Sequence, residues 1–390
     1  MMSRICALLL ASAMTVALAA CGGTAEPPSE AEDLPTIAPP ETEEPDTPEP
    51  EETAAEPAGP REATTGLEAP WSVVFVGNTA IVSERDSGRI FELAEDGSKR
   101  RITTVAGVVH GGEGGLLGLA VRSSADDDAV IDPQTGEVAD GTYLYAYSTA
   151  ANSNRVQRFP LRGEPGALKL GKARTVIDGL PSAASHNGGR IAFGPDGKLY
   201  VTVGDAGQPG LAQDRDSLGG KILRLTATGK VPKDNPFSGS PVYSYGHRNP
   251  QGIAWDEDGT MYASEFGQDT WDELNVIEAG ANYGWPVVEG VSGDDRYTDP
   301  VQQWSPSEAS PSGIAIADGR IYIANLRGQR LRSVPLANLG KDKDYFVGEY
   351  GRIRDVTLTP DGTLWLLTNN TDGRIEPRKN DDRFIDTEIL

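Results

Sequence analysis

One hairpin pattern is written six times along this chain. Five segments, "WSVVFVGNTAIVSER", "RIAFGPDGKLYVTVGD", "GIAWDEDGTMYASEFG", "GIAIADGRIYIANLRG" and "DVTLTPDGTLWLLTNN", share a plan: apolar alternation, a turn rich in Asp and Gly, and a second alternating run. A sixth begins "GLLGLAVRSS" and ends "GTYLYAYS", with a long insertion between the same two strands. Alternation with period two marks strands, and Asp-Gly supplies the positive φ of a tight hairpin turn. No stretch sustains a helical period. Six repeats of one hairpin predict an all-β fold, a six-bladed β-propeller with four-stranded antiparallel blades, each repeat forming the inner part of a blade around a central channel. A β-sandwich has no reason to repeat one hairpin so often. The final run, "RFIDTEIL", is expected to supply the closing outer strand.

The N-terminal stretch is of another kind. Residues 1–20 combine Arg4, an apolar run from Ile5 to Leu18 and small residues before Cys21, which reads as a secretory signal ending in a lipobox-like Leu-Ala-Ala-Cys. Cys21 is then the expected lipidation site, and Cys6 is lost with the signal, leaving no cysteine for a disulfide, a zinc site or a thiol nucleophile. Residues 22–60 carry twelve Asp or Glu, ten Pro and no Lys or Arg, the composition of a solvated tether. The expected organisation is a signal peptide (1–20), a lipidated tether (21–65) and a propeller (66–390). That implies an extracytoplasmic protein held at the cell membrane only through its lipid. From residue 61 onward 46 acidic side chains face 34 basic ones, a net of −12, which disfavours a nucleic-acid partner.

In a propeller, residues just before and after the inner strands converge on one channel mouth. Glu113 stands among four glycines before the second hairpin, His186 before the third, and His247, Arg248 and Asn249 before the fourth. Arg327 follows the fifth hairpin, and Arg352 and Arg354 open the sixth at strand spacing. A histidine gathered with several arginines favours a ligand carrying several carboxylates or phosphates, because guanidinium forks bind such groups bidentately.

These motifs, "GGEGGLLGLAV", "HNGGRIAFGPDGKLYVTVGD", "GGKILRL", "YSYGHRNPQGIAW", "SEFGQDTWDELNVIEAGANYGWP" and "GRIRDVTLTPDG", resemble in order those of the soluble glucose and aldose sugar dehydrogenases. That family consists of six-bladed propellers that use pyrroloquinoline quinone (PQQ) and Ca²⁺. The resemblance implies that His186 is the base taking the proton from the sugar C1 hydroxyl while hydride passes to PQQ. Arg248 and Glu113 would complete the catalytic centre. Arg248, Asn249, Arg327, Arg352 and Arg354 would hold the cofactor, Gly267 and Gln268 the Ca²⁺ that polarises it, and Glu273 and Tyr283 part of a second calcium site. Gly188 and Gly189 would let cofactor and sugar approach the backbone beside His186. Glu113 and Ser185 depart from the glucose-specialist pattern and favour the aldose branch, with an open cleft and an external electron acceptor. A calcium-dependent propeller lactonase and a propeller binding module without PQQ are the competing readings. The first needs Glu, Asn and Asp around a channel metal, and the second would be expected to lack His186 or the arginines.

Overall fold

In the computed structural model, residues 60–123, 131, 138 and 140–390 are described. Cys21 and most of the 21–65 stretch lie outside them. Six antiparallel sheets form, and the first strand of each lies against the first strand of the next in a closed ring. Those first strands are Pro70–Val76, Leu116–Arg122, Ile191–Phe193, Pro250–Trp255, Pro311–Ala317 and Ile353–Leu358. Each begins one of the six repeats, so the repeats are the inner halves of the blades of a six-bladed propeller. The turn glycines behave as the pattern requires: Gly197, Gly259, Gly319 and Gly362 all have positive φ. Asp318 at +46° and Gly319 at +66° place both central residues of one turn in the left-handed region, where a type I′ hairpin needs them.

Stability comes from the faces between blades. Six clusters of buried side chains form, one at each blade–blade interface. Between blades three and four, for example, Tyr200 and Ile222 pack on Ile253, Met261 and Ala263. Each fully buried Leu, Ile or Val contributes about 1.5–3 kcal/mol, so the ring is held by many equal parts.

Closure differs from the expectation in one respect. Phe384–Asp386 is the third strand of the last blade, and the outermost is Arg61–Thr64, from the other end of the chain. Arg61 pairs with Asp386 and Thr64 with Phe384, and an Arg383–Glu62 ion pair of 3.0 Å lies beside them. The ordered domain therefore starts inside the stretch assigned to the tether. Four residues were too short a run to show alternation, and their neighbours Glu56, Pro57 and Pro60 hid them.

The channel is filled by polar groups. Arg190 Nη1 bonds Asp355 Oδ2 at 2.9 Å, its Nε donates to the Gln251 carbonyl at 2.9 Å, and its guanidinium lies 4.4 Å from the Trp71 ring centroid. Burial pushes the Asp355 carboxyl up, and Arg190 pulls it back toward ionisation. Removing one partner of a buried pair strands the other, at about 3–5 kcal/mol. Asp355→Asn should therefore lower stability by about that amount in urea denaturation. An unchanged midpoint would show that the pair does not hold the blades.

Candidate active site

A cavity of about 240 Å³ opens at the end of the channel where the first strands begin. Glu113, His186, Arg248, Gly267, Gln268, Arg327, Arg352 and Arg354 all line it, although they come from five blades. Three further charged residues of the wall, Arg85, Asp272 and Arg374, were not singled out from the sequence.

His186 has a left-handed backbone, φ +58°, which a non-glycine residue holds only when its surroundings insist. Its Nδ1 meets Asp205 Oδ1 at 2.7 Å, and Trp285 Nε1 donates to Asp205 Oδ2 at 2.9 Å. Burial alone would raise the Asp205 carboxyl, but hydrogen bonds from His186 and Trp285 outweigh it and hold the group below the usual range. An ionised carboxylate only accepts, so the proton of a neutral His186 sits on Nδ1 and Nε2 keeps its lone pair. Such a ring can take a proton. Glu113 is not free: Oε2 accepts the His186 N–H at 2.8 Å and Oε1 meets Arg374 at 3.2 Å.

The arginines are unequal. Arg352 donates to Asp372 at 3.2 Å, while Arg354 bonds only neutral groups, Gln251 at 2.6 Å, Ser312 at 3.2 Å and Asn369 at 3.4 Å. Burial lowers the pKa of both, most strongly that of Arg354, which is fully enclosed among other cations. The buried Nε atoms of Arg248, Arg352 and Arg354 have no hydrogen-bond partner among the described residues. Orphaned donors of this kind call for an anion from outside.

Asn249 stands behind the wall rather than in it, its Oδ1 accepting Gly188 N–H at 2.9 Å and its Nδ2 unpartnered. His247 is wholly buried between Ser244 and Glu265, each at 2.8 Å, and is structural. Gly188 and Gly189 serve the fold instead of a ligand: a Cβ at Gly188 would lie 2.6 Å from the Thr202 carbonyl, and one at Gly189 2.6 Å from Leu117. The turn of Gly267 and Gln268 is pinned from behind by Glu289, whose Oε1 accepts the N–H groups of Gln268, Asp269, Thr270 and Trp271 within 2.7–3.2 Å. Glu273 and Tyr283 line a separate small space together with Glu265 and Glu289. Burial and Glu265 push the Glu273 carboxyl up to about 8, and the Tyr283 hydroxyl is committed to the Val276 carbonyl at 2.6 Å. Among the described residues no three His, Cys, Asp or Glu side chains are arranged to hold a metal.

Comparison with known proteins fits this geometry. The family model for glucose/sorbosone dehydrogenase matches residues 67–376. The chain belongs to that family. It is 47% identical to the aldose sugar dehydrogenase of Streptomyces coelicolor, solved in a PQQ-bound form, with a TM-score of 0.76 over 85% of this chain and 99% of that one. It is 30% identical to aldose sugar dehydrogenase YliI of Escherichia coli over 80% of this chain and 91% of that protein. Quinoprotein glucose dehydrogenase B of Acinetobacter calcoaceticus is 32% identical over 62% of this chain and 56% of its own length.

For this member of the glucose/sorbosone dehydrogenase family, one of the missed wall residues obeyed a rule already in view. Arg85 follows the second strand of its repeat, as Arg327 does, and so does Asp205 behind the wall. Asp372 and Arg374 lie further along such a loop, where no repeat register places them.

Asp205 also gives the site a pH signature. Its folded-state pKa is depressed, so the stability its ionised form contributes is complete above the ordinary carboxylate range. It is lost as pH falls through the lower folded value. Asp205→Asn should flatten the acid limb of the stability curve below about pH 4. Denaturation at stepped pH checks this, and a limb as steep as wild type would refute it.

Proposed function

We propose that this protein oxidises aldose sugars at C1 with PQQ as its resident cofactor and passes the electrons to an external acceptor. The observation that carries the reading is the pairing of an Asp-oriented histidine with six arginines around one cavity, several of them with unpartnered buried nitrogens. A tricarboxylate matches those donors, with Arg327, Arg352 and Arg354 holding its carboxylates and Arg248 completing the cradle. When bound, PQQ would supply the two-electron acceptor that no side chain here provides.

The chain's own residues then have distinct work. His186 accepts the sugar hydroxyl proton at Nε2, and Asp205 holds the ring in the tautomer that leaves this atom free. Arg248 stabilises negative charge developing at the site. Its Nη1 donates to the Phe266 carbonyl at 3.2 Å, which ties it to the Gly267–Gln268 turn. That turn offers backbone carbonyl ligands, which suit Ca²⁺ once an anionic cofactor adds charge and further oxygens. For the second cation, Glu273 beside Glu265 provides buried carboxylate oxygens, and the cation would displace the proton that burial favours on Glu273. The binding-module reading gives no use to the His186–Asp205 pair.

Apo-protein given PQQ and millimolar Ca²⁺ should show a PQQ-dependent absorbance change and dye-linked oxidation of several aldoses, and prior chelator should prevent both. His186→Asn should keep PQQ and lose about two to four powers of ten in turnover. Arg352→Ala should weaken PQQ binding by about one to two powers of ten, the value of one charge-assisted contact. No spectral change and no activity on any aldose would leave the binding-module reading in its place. At the cell surface Cys21 is the proposed anchor, motivated by its lipobox-like setting. Cys21→Ser should release the folded protein into the medium, and wild-type protein without lipid would refute the anchor.

A further inference from the structure

Glu113 grips the segment before the third blade at two points. Its N–H donates to the Ala184 carbonyl at 2.8 Å, and its carboxylate accepts the His186 N–H at 2.8 Å. Between these bonds the chain turns into the left-handed conformation of His186. The neighbouring loop is cut to fit: Gly112 has φ +58°, and a Cβ there would lie 2.1 Å from the Ala184 carbonyl. On the other side the His186 carbonyl accepts the Ala206 N–H at 3.1 Å and leaves no room for a Cβ at Gly204, which would sit 2.0 Å away. The peptide groups on both sides of His186 are thus fixed, one by main chain and one by the carboxylate of Glu113.

The second oxygen of Glu113 meets Arg374, which comes from the last blade. Arg374 also donates to Asp372 at 3.0 Å, and Asp372 accepts from Arg352 at 3.2 Å. An unbroken chain, Arg352–Asp372–Arg374–Glu113–His186, crosses the mouth from the cationic wall to the histidine. Asp372 and Glu113 are the only carboxylates in this run, and each is shared by two donors.

We infer that Glu113 is a positioning residue for His186, and that Arg374 is the strut that holds Glu113 in place. The inference rests on the reading of His186 as the proton acceptor. This carboxylate already accepts a hydrogen bond within the protein at each oxygen. It aims the imidazole through the backbone, as Asp205 does through the ring. Arg374 makes that aim depend on the arginine side, because an anion drawing on Arg352 and Arg374 shares them with Asp372 and Glu113.

Two readouts separate this from a contact with sugar and from a purely structural role. The chain has three histidines, and His247 is buried away from the mouth, so histidine ¹⁵N NMR reports on His186 with an internal control. In Glu113→Ala the His186 signals should shift while those of His247 stay, and kcat should fall about 10–100-fold with KM little changed. Glu113→Gln, whose amide oxygen still accepts the His186 N–H, should recover much of that loss. Arg374→Gln should move the His186 signals the same way by less. Wild-type His186 signals in both Glu113→Ala and Arg374→Gln would overturn the inference. So would a raised KM with unchanged kcat in Glu113→Ala, which would make Glu113 a sugar contact. If Glu113→Ala does not fold, the two glutamine variants carry the same comparison. Full turnover in His186→Asn would instead remove the base reading, while the NMR shifts would still decide whether Glu113 sets the histidine.

Discussion

The buried Arg190–Asp355 pair ties four of the six blades together across the channel. A ring of inner strands leaves a core too narrow for a second apolar layer and too dry for unpaired polar groups. Arg190 fills it with a planar fork whose donors reach blade six at Asp355, blade four at the Gln251 carbonyl and blade one at Ser72. Gln251 and Ser312 then carry Arg354, and both arginines lie near the Trp71 ring, at 4.4 and 5.6 Å. The two cations differ in one respect that decides the site. Both keep one unpartnered buried nitrogen, but Arg190 has a carboxylate in hydrogen-bond contact whereas Arg354 has only neutral partners.

That deficit sits in an otherwise acidic protein. Residues 61–390 carry a net of −12, yet six arginines face one cavity of about 240 Å³. Their neighbours Glu113, Asp272 and Asp372 offset only part of the charge, and burial with mutual repulsion drives the pKa values of Arg352 and Arg354 down. A cationic cleft walled by low-dielectric blades concentrates its field at the opening and draws anions inward. A polyanion bound there would offset the repulsion among these arginines.

Much of this was legible in the repeat. Its period gave the blade count, its Asp-Gly turns the hairpins, and its shared ends the convergence of Glu113, His186, Arg248, Arg327, Arg352 and Arg354. What escaped was set by contacts that no local pattern encodes. The strand Arg61–Thr64 exists only because Phe384–Asp386 offers it an edge, across the whole length of the chain. Asn249 shares a motif with Arg248, but adjacent residues of an extended chain point opposite ways, and it turned to the backbone of Gly188. Gly188 and Gly189 suggested space for a ligand, whereas the space is taken by Thr202 and Leu117. Composition shows that side chains are missing at such positions and does not show what fills the gap.

The acidic residues of the mouth teach a related lesson. Loops that follow strands have lost their ladder partners and still carry main-chain donors that need satisfying. Here buried and half-buried carboxylates do that work repeatedly. Glu265 accepts from the N–H groups of Arg248 and Asn249, Glu289 from four consecutive N–H groups, Asp272 from Gly267 and Ser310, and Asp382 from Asn370 and Thr371. A carboxylate in this role is a splint, with both oxygens engaged in Glu265, Asp272 and Asp382 and a single oxygen in Glu289, and peptide dipoles offset its charge. Where such splints crowd, as at Glu265 and Glu273, one of them is forced up to about 8. The same chemistry that stiffens the loops thus crowds Glu265, Glu273 and Glu289 around one small space behind a cationic mouth. A site made of irregular chain acquires fixed geometry without helix or sheet, and His186 can be held in a backbone conformation it would not choose alone.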